Sequence, residues 1–509
     1  MKAWFNAVMR GYLGTKHRKL MEVQARPHEA QQKVLKSLLQ QARNTEYGRR
    51  HGFARIRNAR DFANQTPVVD YEVLKPSIDR MMRGEEDVLW PGRVHWYAKS
   101  SGTTSARSKF IPIPNENLKG CHHKSTWEAL AMLYAMLPEA TLFHRKNLVM
   151  GGSLSIFEED PDTTYGDVSA IMLQHMPAVG RPFFTPDFET ALLDDWEEKI
   201  ERMVRICTKE DVSFIGGVPT WTIVLFKRIL EATGADHMLQ VWPHLQAYTH
   251  GGVGFKPYRS TFEQFIPKED FVYQEVYNAS EGFFAAQDRR GADDMLLLLD
   301  NGMYFEFLPM SEWGSAKPIA ISLQDVKAGT PYALVISTNA GLWRYIPGDT
   351  IQFTTTQPYR IQVTGRTQQF INAFGEEVMI ANTEMALLDA CEQHDALVAD
   401  YTVAPVYLNE ANKGRHEWLI EFLRRPGDAR AFAATLDRSL QQLNSDYEAK
   451  RSADLALEQL DLKVLPEGTF ERWLAARNKL GGQNKVPRLS NDRTYVEEIL
   501  NLVAHEQGA

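Results

Sequence analysis

SSGTTSARSK, residues 100–109, is the stretch on which the reading of the fold turns. Just before it Val94, Trp96 and Ala98 alternate with the period of a strand. A strand therefore runs into a polar loop holding a single glycine. Six hydroxyl residues surround Gly102, and Lys109 closes the run. Backbone N–H groups, hydroxyls and a lysine are the donors with which a flexible loop wraps phosphate oxygens. A plain polar turn of the same composition is the other reading.

On either side of this loop, helices and strands interleave. Residues 117–137 read as helix, and residues 146–152 (KNLVMGG) as a buried strand entering a glycine turn. Residues 189–209 form a long charged amphipathic pattern, 212–218 (VSFIGGV) a short apolar strand, and 221–233 a helix. Further strands are expected over 246–252, 271–277, 294–300 and 332–337. This alternation implies an α/β architecture with a substantial parallel component. Upstream, Val34, Leu35, Leu38 and Leu39 mark a helix over 31–41 that breaks at 45–49. Residues 1–20 mix Trp4, Phe5, Val8, Met9, Tyr12 and Leu13 with basic residues but lack the apolar core and cleavage signal of a targeting peptide. An amphipathic helix lying on the protein body is expected there. Beyond 367 the order is helix (383–394), strands (401–408, 417–423), helix (429–443), strand (460–465) and helix (469–480), a compact α+β domain.

Composition excludes several classes. With 57 Lys+Arg against 65 Asp+Glu, the 509 residues carry a net charge of −8, which argues against a mainly electrostatic nucleic-acid binder. Cys121, Cys207 and Cys391 form no CxxC pair, so neither a disulfide framework nor a cysteine zinc site is expected, and the composition is that of a reduced, cytoplasmic protein. No run approaches the ~18 apolar residues of a membrane span. GxxxxGK[ST], HExxH, GxSxG and a complete GxGxxG are missing; residues 251–254 are a glycine cluster only. His122-His123 has no acidic partner at close spacing and reads as surface or satisfied core.

Four more segments join the polar loop: YNASEG (277–282) after FVYQEV, GLWRYIPGD (341–349), GRTQQFINAFGEE (365–377) and GQNKVPR (482–488). Each alone is weak, and each has a bland reading: a turn at Asp349, a solvated acid at Glu281, a surface lysine at Lys485. In this order and spacing the set resembles the acyl-adenylate-forming superfamily, to which firefly luciferase belongs. It is most similar to the Gretchen Hagen 3 acyl acid amido synthetases, as a bacterial member. The likeness runs from about Trp96 to the C-terminus. It implies a large N-terminal domain of mixed sheets and packed helices over 1–367, binding ATP and an acyl acid, and a smaller mobile α+β domain over 368–509.

The resemblance also implies roles. Ser100, Ser101, Gly102, Thr103, Thr104 and Lys109 correspond to the ATP triphosphate loop, although this chain has Ala106-Arg107 where the family often carries another glycine. Thr249, Gly251 and Gly252 correspond to a segment approaching the nucleotide. Tyr277 corresponds to the aromatic beside adenine, Ser280 to a residue near the α-phosphate, and Glu281 to the carboxylate holding Mg²⁺. Asp349 corresponds to the acceptor of both ribose hydroxyls. Ile346 stands where the family's signature has arginine, with Arg344 just upstream. Arg366 would bond the nucleotide, Gln368 would mark the hinge, and Lys485 would reach the reacting phosphate and carboxylate. Lys485, Lys109 and Glu281 are then the catalytic set, and the substrates are ATP, a carboxylic acid and an amine, expected to be an amino acid. Phe214, Val218, Trp221 and Met176 are either acyl-pocket lining or ordinary core. Transfer to coenzyme A and a non-catalytic nucleotide sensor are the rival functions; neither nucleic acid nor stable membrane insertion is expected.

Overall fold

The computed structural model describes residues 2–101, 108–255, 258–315, 317–367, 370–408, 413–454, 456–477 and 486–507. Helix Lys2–Gln24 lies along the body, burying Leu13 and Leu20. Buried Asn6 fastens it: its Nδ2 donates to Ala140 O at 2.9 Å, and its Oδ1 accepts from the Tyr134 hydroxyl (2.9 Å) and the Phe143 N–H (3.1 Å). Pro27, whose missing N–H costs nothing in a first turn, opens helix Pro27–Ala42. Gln31 on that helix donates to Leu299 O and Met303 O and accepts from Phe305 N–H, pinning the helix to the main sheet. The expected break at 45–49 is instead a restart: Thr45 Oγ1 accepts from Gly48 N–H at 3.0 Å and caps helix Glu46–Arg50.

The main sheet has twelve strands in two regimes. Phe184–Thr185, Lys146–Val149, Val212–Gly216, Ala247–His250 and Val272–Ala279 run parallel in that spatial order. From Val272–Ala279 onward pairing is antiparallel, through Gly282–Ala286, Met295–Leu297, Tyr359–Arg366, Asp349–Thr356, Pro331–Thr338, Met303–Pro309 and Ile321–Ser322. Helices Trp196–Cys207 and Pro219–Thr233 cover the parallel half with Ile200, Met203, Ile223 and Phe226. A four-stranded sheet, Ser108–Pro112, Trp96–Ser101, Asp160–Gly166 and Leu154–Phe157, carries the polar loop. A third sheet, Leu397–Val406, Arg415–Arg424 and Asp461–Leu465, has helices Ile380–Gln393 and Ala429–Leu443 on one face. Thr469–Ala476 and Thr494–Gln507 cover the other. Trp221, Phe226 and Tyr258 share one core with Phe374, Val403 and Trp418, so the C-terminal sheet is packed directly on the large one. No helix among the described residues is long and apolar enough to cross a membrane.

Two further expectations are revised. The single helix over 189–209 is two, Phe188–Ala191 and Trp196–Cys207, because Asp187 and Asp195 each cap a new start: Thr190 N–H and Glu198 N–H donate to them at 2.8 Å. Strands Met303–Pro309, Asp349–Thr356 and Tyr359–Arg366 were not among those expected. The first hides a carboxylate in an aromatic run, since Glu306 is buried and held bidentate by Arg344 at 2.9 Å. Arg344 further donates to Ala63 O and Thr66 O, tying helix Ala59–Gln65 to the sheet.

Removing one partner of a buried ion pair leaves the other uncompensated, at a cost of about 3–5 kcal/mol. Glu306→Gln is therefore expected to lower the urea unfolding free energy by about that amount, whereas Glu85→Gln, at an exposed carboxylate screened by solvent, is expected to leave the urea midpoint essentially unchanged. His122 is buried with neither ring nitrogen hydrogen-bonded, and burial lowers its pKa to about 4 from the ordinary 6.5. The unfolded chain takes a proton there that the folded chain refuses, so stability is full above the unfolded value and is lost as pH falls toward the folded one. Between pH 7 and 5 this amounts to about 2 kcal/mol, and the loss is expected to shrink in His122→Leu when urea midpoints are compared at the two pH values.

Candidate active site

The C-terminal ends of four adjacent parallel strands open into one cavity of about 920 Å³. Val149, Gly216, His250 and Ala279 mark those ends, at the point where the sheet changes from parallel to antiparallel. Such switch points leave a crevice at which ligands bind. The four-stranded sheet forms a second wall and helix Ser445–Arg451 a third.

On the main sheet, Tyr277, Asp349 and Arg366 make a continuous polar wall. Asp349 and Arg366 are opposite each other in adjacent strands. Arg366 Nε donates to Asp349 Oδ1 at 2.9 Å, and the Tyr277 hydroxyl donates to Asp349 Oδ2 at 2.5 Å. Arg366 Nη2 reaches Glu377 Oε1 at 3.3 Å. The Tyr277 ring stacks on Phe284 with centroids 4.3 Å apart. Burial first, then the Asp349 charge, holds the Tyr277 phenol well above its ordinary pKa, so it remains a donor.

Glu281 follows in the turn after Val272–Ala279. It is 6% exposed, and its Oε1 accepts from the Tyr345 hydroxyl at 3.1 Å. Burial raises its pKa, while the charge of Lys109 opposes the rise. Lys109 projects from Ser108–Pro112 with its ammonium 5.9 Å from the centre of the Tyr71 ring. Thr249 Oγ1 donates to Gln274 Oε1 at 3.0 Å. Gly251 has no room for a side chain, since a Cβ would stand 2.5 Å from Val276 O, and Gly252 adopts φ of +84°.

Ser100, Lys109, Thr249, Gly251 and Gly252 all line the cavity, as do Tyr277, Ser280, Glu281, Asp349 and Arg366. Gly102, Thr103, Thr104, Gln368 and Lys485 lie outside the described residues, and so does the side chain of Ser101. Arg344 does not join the cavity; its pairing with Glu306 makes it a core residue. Met176, Phe214 and Val218 line an apolar arm with Trp127, Leu130 and Phe143. Trp221 does not; it stacks on Trp196 at 3.9 Å. Sequence reading missed His123, Glu377, Asp446 and Lys450, all of which line the cavity. The i, i+4 spacing of Asp446 and Lys450 put both on one helix face, but nothing local showed what that face meets. Among the described residues, no three His, Cys, Asp or Glu side chains cluster as a metal site.

The chain matches the GH3 family N-terminal domain over residues 16–190 and 156–271, the GH3 family central domain over 296–366 and the GH3 family C-terminal domain over 381–494. An indole-3-acetic acid-amido synthetase of Arabidopsis thaliana is 23% identical, the alignment covering 90% of this chain and 88% of the relative. An enzyme of the same description from Oryza sativa subsp. indica is 24% identical over 90% of this chain and 87% of its own. Among solved structures, the GH3.15 acyl acid amido synthetase superposes with a TM-score of 0.61 at 18% identity, covering 95% of both chains. A 2-hydroxyisobutyryl-CoA ligase does so at 0.57 and 14%, covering 95% of this chain and 93% of its own. These two likenesses bear on the fold alone. The sequence matches go further: the chain belongs to the GH3 family, whose amido synthetases are ligases that form amide bonds through an acyl-adenylate.

Proposed function

We propose that this protein is an ATP-dependent acyl acid amido synthetase that adenylates a carboxylic acid and then passes the acyl group to an amine, namely an amino acid. The observation that carries this is the convergence of the Tyr277–Asp349–Arg366 wall with Lys109 and Glu281 in one cavity that also has an apolar arm. A ribose diol needs an acceptor, and Asp349 keeps lone pairs on both oxygens beyond the bonds it already accepts. The face of Tyr277 turned away from Phe284 is a surface for a purine. The aromatic and aliphatic arm around Phe143, Met176 and Phe214 favours an apolar acid.

In the first half-reaction a carboxylate oxygen attacks the α-phosphorus, the bond to the bridging oxygen breaks, and pyrophosphate leaves with the electron pair. Lys109 offsets charge on the phosphate oxygens, and the 100–109 loop supplies further donors. Glu281 suits Mg²⁺: it is a buried hard-oxygen donor facing the cavity, and a single carboxylate is enough where phosphate oxygens complete the shell. When bound, the ion supplies positive charge against the polyphosphate. In the second half-reaction the amine nitrogen attacks the acyl carbon, the C–O bond to the phosphate breaks, and AMP departs. No enzyme nucleophile is needed. Lys485 acts in the first half only, and rotation of residues 368–509 about Gln368 withdraws it for the second.

The test is pyrophosphate exchange into ATP across a panel of apolar carboxylic acids, followed by product analysis with amino acids or coenzyme A as acceptor. Acid-dependent exchange and an amide product are expected; a thioester product alone would replace the amide reading. Asp349→Asn is expected to cut kcat/KM for ATP about a hundredfold, equivalent to ~2.7 kcal/mol, mainly through KM. Glu281 must be ionised to hold a cation, so exchange is expected to fall with acid through a pKa above the ordinary carboxylate range, and Lys109→Met should move that limb to still higher pH. Lys485→Ala should abolish exchange while sparing amide formation from supplied acyl-adenylate; equal losses in both would refute its assignment.

A further inference from the structure

Helix Lys2–Gln24 has two apolar sides, and the packing described above uses one of them. The inward side is fixed by Asn6, Leu13 and Leu20, and by Phe5, whose ring stacks on Phe183 with centroids 5.6 Å apart. The outward side carries Trp4, Val8 and Tyr12, four residues apart and therefore in line along the helix. Trp4 is 71% exposed, more than any other large apolar side chain among the described residues, and Val8 and Tyr12 are close to half exposed. With the inward side held by buried hydrogen bonds of Asn6, the helix cannot roll to bury this stripe. A Cβ at Gly11, three residues on from Val8, would meet nothing within 4 Å, so no described residue covers the helix there.

The charge of this helix runs against that of the chain. Residues 2–24 hold Lys2, Arg10, Lys16, Arg18 and Lys19 against Glu22 alone, a net charge of +4 in a chain of −8. Lys16 continues the line of Trp4, Val8 and Tyr12, with its ammonium 5.3 Å from the centre of the Tyr12 ring. Arg18 and Lys19 are exposed, and Lys19, three helical turns after Val8, comes round to the same side. Arg18 donates to Thr15 Oγ1 on its own helix at 3.3 Å, and among the described residues no carboxylate pairs with it or with Lys19. An apolar stripe that ends in cations suits a surface that is anionic on top and apolar beneath. Tryptophan and tyrosine settle at the boundary of such a surface, and lysine and arginine meet its headgroups. A nucleic acid backbone would answer the cations and leave Val8 in water. A second copy of the helix would bring like charges together.

We propose that the outward side of helix Lys2–Gln24 docks this protein on an anionic lipid surface. Trp4, Val8 and Tyr12 enter the boundary between headgroups and acyl chains, and Lys16, Arg18 and Lys19 pair with lipid phosphates. The helix lies in the plane of the surface and does not cross it. Phe183 and Trp127, which Phe5 and Tyr12 touch, are both walls of the apolar arm, so docking sets that arm beside the lipid.

The test is cosedimentation of the full chain with phosphatidylcholine vesicles, either pure or holding about 30 mol% phosphatidylserine. Partitioning onto the anionic vesicles is expected to exceed that onto the neutral ones at least about tenfold, and to fall at about 0.5 M salt. Trp4→Ser with Val8→Ser, and separately Arg18→Gln with Lys19→Gln, should each cut it about tenfold while the urea midpoint stays that of wild type. Lys209→Gln with Lys317→Gln removes as much charge from exposed sites elsewhere and should leave partitioning within about twofold. Equal partitioning onto both kinds of vesicle, or none, would overturn the proposal. So would either helix pair leaving it unchanged, or an equal loss in the Lys209 and Lys317 pair. Binding to a DNA duplex without binding to vesicles would overturn it in favour of nucleic acid. A dimer in gel filtration that Trp4→Ser with Val8→Ser converts to monomer, without vesicle binding, would overturn it in favour of a second copy.

Discussion

Arg366 lies between two carboxylates that belong to different parts of the chain. Its Nε meets Asp349 across a pair of strands in the large sheet, and its Nη2 meets Glu377 in the segment that enters the C-terminal sheet domain. A guanidinium can do this because its planar fork offers donors in two directions while keeping its charge at every accessible pH. From Glu377 the connection continues: its carbonyl accepts from Asn444, and Asn444 caps the helix bearing Asp446 and Lys450. One cation thus aligns the polar wall of the large sheet with the helix that closes the cavity.

The sheet supplies the space that this alignment organises. Parallel strands ending side by side leave a crevice, and the change to antiparallel pairing at Val272–Ala279 puts Tyr277, Ser280 and Glu281 along its edge. The antiparallel half then returns Asp349 and Arg366 to that edge. Apolar side chains of the parallel half and of helix Lys124–Met136 extend the crevice into a greasy arm. A polar wall and an apolar arm meeting in one cavity are what the proposed joining of ATP to an apolar acid requires, since the reacting oxygen and phosphorus must be held together out of bulk solvent.

Motif residues proved legible in unequal measure. Tyr277, Glu281 and Asp349 were visible through the family resemblance of the short runs that hold them: YNASEG at a strand end, and Pro347-Gly348 before Asp349. Arg344 occupied an equally suggestive position, yet it turns inward to Glu306, a partner 38 residues away that no local pattern marks. Trp221 looked like pocket lining and became core through stacking on Trp196. Asp446 and Lys450 drew no reading from the sequence; their i, i+4 spacing puts them on one helix face, and the packing of that helix against the strand Trp96–Ser101 turns the face inward.

The sequence by itself determined the elements and their alternation, because periodicity, caps and glycine turns act over a few residues. Strand Val212–Gly216, helix Pro219–Thr233 and the C-terminal order of helices and strands all follow from such short-range rules. It determined the chemistry available too, in hydroxyls, carboxylates and lysines at restricted turns. Only the tertiary structure decided which charges face one another, because ion pairs, burial and desolvation depend on residues brought together from across the chain. That is why Arg344 is a strut, Arg366 a junction, and Lys450 a buried cation over the Trp221 ring.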